Sequence, residues 1–281
     1  MRIVIVTNGN FFARLILARL FRERAKDIAG IVVVTGIKAG KSRFKSLLEI
    51  TRQSGLRHLA YKASTYIVFA IANLLYPRRA FFVPNLAKNF SRPVIYASQV
   101  NDRNVVAQVK EWKPDLLVSV SCPQLIQAEL LAVPRICPIN IHSSLLPSYS
   151  GLSPYFWVLA NGEKSTGTTV HIMGKGFDSG KILIQKEADI SRNETVFSLF
   201  MKLSNLGSDA LAESVSGIAN CEPKEQDLSQ SSYFSWPTLS AVKSLYRNGH
   251  RFVKFHDYVQ AIKWDMDLET DAATYKRQGP R

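Results

Sequence analysis

Asn140 and His142 are separated by one residue, and in an extended segment side chains two apart share a face. Both therefore point the same way at the end of a short run, Cys-Pro-Ile-Asn-Ile-His. A carboxylate, Asp178, follows in a stretch bracketed by Gly176 and Gly180, residue types that let a backbone turn tightly and approach a ligand. An amide that donates to an oxyanion, an imidazole that accepts a proton and a carboxylate that orients or charges the imidazole form a coherent set. The set suits attack by an amine on an acyl carbon. Such an amine needs no Ser, Cys or Thr nucleophile once its proton has a destination.

The elements that must position these groups follow from apolar periodicity. Arg2 to Val6 reads as a buried strand ending in the turn Thr7-Asn8-Gly9-Asn10, followed by a helix from about Phe11 to Lys26 and a strand from about Ile31 to Val34. Further strands are expected near Val94 to Tyr96, Asp115 to Val120, Thr168 to Met173 and Lys181 to Ile190. Helices are expected near Arg103 to Lys113, Pro154 to Ala160 and Thr195 to Ala219, the last capped by Asn193. Apolar strands alternating with helices predict an α/β fold, a doubly wound and mostly parallel sheet whose ligands bind beyond the carboxyl ends of its strands. Thr7, Asn8 and Gly9 lie at that edge, without the Gly-x-Gly-x-x-Gly spacing of a dinucleotide site.

The run Asn140-Ile141-His142-Ser143-Ser144-Leu145-Leu146-Pro147, then Gly151 and Pro154, Gly167-Thr168-Thr169-Val170-His171 and Gly176-Phe177-Asp178-Ser179-Gly180-Lys181-Ile182, resembles the folate-dependent formyltransferases. That family includes glycinamide ribonucleotide, methionyl-tRNA and amino-sugar-nucleotide formyltransferases. As a combination the motif is specific, although Asn-x-His alone is not. The resemblance is good from about residue 93 to 190, weak over the first strand and helix, and nearly absent from 38 to 92. It implies that Asn140, His142 and Asp178 are catalytic and that 10-formyltetrahydrofolate is the formyl donor, with no metal. It also implies a donor site formed by Cys122, Gln124, Leu125 and Ile126 on one loop and by Gly174, Lys175 and Gly176 on another. Gly174-Lys175 stands where the family often has an acidic pair. Thr7, Asn8, Gly9, Ser143, Ser144, Gly151 and His171 are the residues expected to line the acceptor site. For His171, packing beside the site is an equal alternative.

Residues 1–92 hold 17 Lys and Arg against Glu23, Asp27 and Glu49, and the remainder carries equal numbers of each sign. The whole formal excess of +14 thus lies in the first third, a surface able to attract phosphates or simply to stay solvated. Within it, Lys38, Lys41, Arg43 and Lys45 lead into a helix through Thr51, and Ala63 to Pro77 is free of charge. That segment is too short to span a bilayer. It reads as a helix buried in the fold or in a homodimer interface, the favoured reading, or as one lying on a membrane. Three unpaired cysteines and no signal-peptide pattern predict a cytoplasmic protein without disulfides. Residues 1–220 are expected to form the catalytic domain, with 38–92 as a basic and apolar helical insertion and 221–281 as a short C-terminal extension, shorter than the C-terminal domain of methionyl-tRNA formyltransferases. The expected acceptor is a small primary amine, a nucleotide-linked amino sugar. The alternatives are methionyl-tRNA or, in another class, a non-catalytic folate- or membrane-binding regulator on the same fold.

Overall fold

A computed structural model describes residues 1–263 apart from 38–39, 77–78 and 175. Lys175, Lys38 and residues 264–281, all named in the sequence reading, lie outside the described residues.

A seven-stranded sheet has the order β3-β2-β1-β4-β5-β7-β8. Its parallel part comprises β1 (Ile3–Thr7), β2 (Ile28–Val34), β3 (Val94–Ala97), β4 (Leu116–Val120) and β5 (Cys137–His142). β7 (Ser165–Ile172) and β8 (Ile182–Asp189) add an antiparallel edge. The expected mostly parallel, doubly wound sheet is present.

Alternation along each strand divides the interior into two layers. Ile3, Ile5, Ile31, Val33, Val118 and Ile139 face one cluster, which α1 (Phe11–Arg24), α4 (Val83–Asn89) and α8 (Val196–Gly217) cover with residues such as Leu17, Leu20, Leu86 and Leu211. Val4, Val6, Val32, Val34 and Leu117 face the opposite cluster, covered by α5 (Arg103–Glu111) and α6 (Ala128–Leu131) through Val105, Val106, Val109 and Leu130. Each wholly buried strand residue removes apolar surface from water at about 25 cal/mol per Å², so reversing one strand's alternation would expose an entire row.

A further core lies on the far side of α1. Phe11, Phe12 and Leu15 meet α3 (Leu56–Leu75), α7 (Pro154–Asn161), the start of α8 and α9 (Leu239–Arg247). Phe69 of α3 stacks on Phe11 with ring centroids 3.7 Å apart. α2 (Arg43–Ser54) packs on α3 and hydrogen-bonds through Ser54 Oγ to the Pro237 carbonyl, at 2.6 Å. The insertion and the C-terminal stretch therefore share one core: Phe252, Tyr258 and Ala261 pack with Tyr61, Phe69 and Ala72. β9 (Tyr233–Phe234) also pairs with β6 (Ser150–Gly151), beside the motif residues.

Two local expectations change. The charge-free segment belongs to a longer helix that begins at Leu56, because Gly55, with φ 82°, breaks the chain just before it. The cap of α8 is Thr195, not Asn193. Thr195 Oγ1 accepts from Ser198 N and Ser198 Oγ accepts from Thr195 N, each at 2.9 Å, a reciprocal pairing that satisfies two helix-terminal donors.

Candidate active site

β5 sends Ile139 and Ile141 into the first core cluster, so Asn140 and His142 emerge on the other face of the sheet. β7 runs antiparallel beside it, with His171 opposite Asn140 and Thr169 opposite His142. Val170 joins the first cluster, which sends His171 to the same side as Asn140. Asp178 arrives on the connection between β7 and β8, folded back over this face. Its φ of 49° is left-handed, and the turn closes so tightly that a Cβ on Gly180 would sit 1.7 Å from the Ile172 carbonyl oxygen. Only glycine fits there. Gln226 holds the turn from outside by donating to the carbonyls of Asp178, at 2.8 Å, and Gly180, at 2.6 Å.

Three polar side chains converge on Asp178 Oδ1: Asn140 Nδ2 at 3.4 Å, His142 Nδ1 at 3.6 Å and His171 Nε2 at 3.6 Å. Oδ2 accepts from the Gly151 backbone N–H at 2.8 Å. Burial alone would raise the pKa of this carboxyl. The His142 and His171 rings in their charged form, with the Gly151 amide, outweigh it and hold Asp178 well below the usual carboxylate range.

Hydrogen-bond partners fix the protons. His142 Nε2 lies 2.8 Å from the Tyr149 carbonyl, which only accepts, so Nε2 carries hydrogen and Nδ1 faces Asp178. His171 Nδ1 likewise donates to the Ile172 carbonyl at 3.0 Å, leaving Nε2 to accept from Asn140 Nδ2 at 3.1 Å. Turning the Asn140 amide over would aim its oxygen at a carboxylate and a ring lone pair, so the nitrogen belongs where it stands.

The other expected site residues divide by what their polar atoms already do. Ser143 is half-buried beside the trio, whereas buried Ser144 donates to the Ser148 carbonyl at 2.8 Å and shapes the loop. Gly151 donates its backbone N–H to Asp178, and with φ 95° a Cβ there would approach the Phe234 carbonyl oxygen to 2.2 Å. Thr7 Oγ1 accepts from Gly9 N, Asn8 Oδ1 from Asn10 N, and the Gly9 carbonyl from Val83 N, each at 3.1 Å. These contacts brace the turn into α1.

Gln124 braces its own loop. Its Nε2 donates to the Ser98 and Gly36 carbonyls, at 2.8 and 3.2 Å, and its Oε1 accepts from Val100 N at 2.9 Å, so its amide ties three segments together. Ile126 is buried in the core, and Leu125 is exposed. Cys122 donates to the Gln124 carbonyl at 3.3 Å, and burial pushes its thiol up to about 12, which removes it as a nucleophile. Gly174 and Gly176 adjoin the Ser179 side chain. Cys122, Ile126 and Met173 all border the α5–α6 cluster, so the two expected donor loops lie on one side of the sheet, the side of Asn140.

Two participants escaped the sequence reading. Tyr149 acts through its carbonyl, a group every residue has, and its left-handed φ of 59° has no signature in a tyrosine. Gln226 lies 48 residues beyond Asp178, outside any motif. Among the described residues no group of three or more His, Cys, Asp or Glu is arranged to hold a metal ion.

A family model described as formyl transferase matches residues 1–215. The chain belongs to the formyl transferase family. A methionyl-tRNA formyltransferase of Trichlorobacter lovleyi is 36% identical over 153 residues, which is 54% of this chain and 48% of the relative. One of Geobacter metallireducens is 40% identical over 130 residues, covering 46% and 42%. The chain thus spans about half the length of the curated relatives it matches. Among solved structures, an N-formyltransferase of Helicobacter canadensis, in complex with folinic acid and dTDP-3-aminofucose, has a TM-score of 0.54 at 17% identity, covering 87% of this chain and 80% of its own. Glycinamide ribonucleotide transformylase 1 of Symbiobacterium toebii gives 0.54 at 16%, covering 81% and 94%. At these identities the likeness is one of fold.

Proposed function

We propose that this formyl transferase family member is an N-formyltransferase that takes its formyl group from 10-formyltetrahydrofolate and delivers it to the primary amine of a nucleotide-linked amino sugar. The observation that carries the reading is the meeting of Asn140, His142 and Asp178 around one carboxylate oxygen, across 38 residues of sequence. The donor fits the chain's own chemistry: exposed Leu125 offers an apolar wall, and Gly174 and Gly176 offer bare backbone on the same side of the sheet.

When bound, the folate supplies an activated formyl carbonyl. Asn140 donates one amide hydrogen to the oxygen that gains charge and keeps the other on His171 or Asp178. His142 takes up the amine proton at Nδ1, since Nε2–H is held by Tyr149, and Asp178 stabilises the imidazolium. The 3.6 Å between Nδ1 and Asp178 Oδ1 exceeds a direct hydrogen bond and is too short for an intervening water, so the carboxylate acts on the imidazolium through its charge.

A nucleotide on the acceptor is supported by Phe177 and Tyr233, both exposed, with ring centroids 6.1 Å apart beside Asp178. Aromatic faces of this kind stack bases, at about 1–3 kcal/mol each. A second reading, methionyl-tRNA as acceptor, draws on the sequence relatives and on the basic first third. Salt separates the two: many phosphate contacts would make acceptor binding fall steeply with ionic strength. The direct test is a screen of amine acceptors with 10-formyltetrahydrofolate, following release of tetrahydrofolate. Wild-type turnover by both Asn140→Ala and Asp178→Ala on the acceptor found would reject the assignment.

A further inference from the structure

The outer half of the α2–α3 hairpin takes no part in this chemistry and is uncovered. α3 is apolar on two opposite faces. His58, Tyr61, Phe69 and Ala72 are buried on the core beneath. Half a turn away, Leu56, Ala60, Ala63, Ile67, Ile71 and Leu74 recur at three- and four-residue spacing, and all are exposed, Leu56 at 75% and Leu74 at 78%. α2 adds Phe44, also 75% exposed, with Leu47 and Leu48. A solvent-facing helix surface ordinarily carries polar residues. An apolar stripe of this length marks a surface that meets something else.

Charge selects the occupant. Residues 38–92 contain eleven Lys and Arg and a single acid, Glu49, which pairs with Lys41 at 2.6 Å. Arg57 leaves α3 beside the apolar stripe, its guanidinium 4.8 Å over the Tyr246 ring, and Lys45 and Arg52 are exposed on α2, whereas Lys62 turns its ammonium over the Tyr61 and Tyr155 rings. A second copy of the chain would set these cations against their own kind. A polyanion such as RNA would satisfy them but leave the aliphatic stripe in water. An anionic bilayer surface takes both, accepting the stripe at the acyl-chain boundary while the basic heads stay among lipid phosphates. No described helix is long and apolar enough to cross a membrane.

We propose that the α2–α3 hairpin docks the protein on an anionic lipid surface, with α3 in the plane of the interface, Leu56, Ile67, Ile71 and Leu74 inserted, and Lys45, Arg52 and Arg57 at headgroup level. This site is separate from the formyl-transfer residues and does not depend on the acceptor. The test is sedimentation of the full chain with vesicles of phosphatidylcholine alone or mixed with phosphatidylglycerol. At low salt the protein pellets with the anionic vesicles, about tenfold more weakly with neutral ones, and is released as salt rises. Ile67→Glu with Leu74→Glu abolishes pelleting while the circular-dichroism melt stays at the wild-type temperature. Ile67→Ser with Leu74→Ser repeats the test without new charge should the acidic pair fail to fold. Absence of pelleting with anionic vesicles at low salt overturns the proposal. So does a wild-type dimer in solution that these substitutions split while vesicle binding is unchanged.

Discussion

The β5–β7 face and the outer face of α3 solve opposite problems. On the first, polar groups are withdrawn from water, and Asp178 accepts from Asn140 on one oxygen and from a backbone amide on the other, with two histidine rings 3.6 Å away. On the second, aliphatic side chains stand in water above a helix whose underside is packed. Withdrawn polar groups demand specific partners at specific places, so each change is felt. An apolar surface demands only greasy character, so single changes pass unnoticed by the fold.

The sharpest way to break that contrast is at Asp178. Asp178→Ala is expected to lower turnover about 10³-fold, with Asn140→Ala lowering it about 10²- to 10³-fold, both read as initial rates of tetrahydrofolate release. Next come two substitutions on one helix. Phe69→Ala, on the packed side of α3, should cost about 3–5 kcal/mol in denaturant unfolding, whereas Ile67→Ala on the open side should stay within about 0.5 kcal/mol. Equal losses would mean that α3 has no uncovered face.

Acid separates the regions again. Burial, with the Lys62 ammonium adding to it, pushes His58 down to about 3 from 6.5, and its Nδ1 makes no hydrogen bond. The unfolded chain therefore binds a proton that the folded ring refuses, so this contribution to stability is whole above pH 6.5 and is lost as pH falls toward about 3. Asp178 is also depressed, but from 3.8, so its contribution is whole above that value and is lost as pH falls below it. Urea midpoints measured between pH 7 and 4 should fall for wild type and flatten for His58→Gln. The smallest effect expected is at the cap: Thr195→Ala should cost about 1 kcal/mol.

The sheet was legible because its strands are buried on both sides and its apolar runs are unambiguous, from Ile3 to Val6 and from Leu116 to Val120. The trio was legible because period-2 spacing puts Asn140 and His142 on one face and glycines flag the turn at Asp178. Contacts made through the main chain were not, since the Tyr149 carbonyl and the Gly151 amide say nothing about side-chain type. Thr7, Asn8 and Gln124 show a related ambiguity. A polar residue near a strand end serves a neighbouring peptide group as readily as a ligand, and only coordinates reveal which. The charge-free segment in α3 suggested burial, and half of the helix obeyed.

Gln226 clasps the peptide groups of Asp178 and Gly180, and Phe234 lines up against Gly151, yet both residues stand past position 215, where the family pattern stops. A fragment trimmed to that boundary would retain all the reactive side chains and forfeit the splint that keeps them in register. The later stretch of this chain is therefore part of the machine's frame.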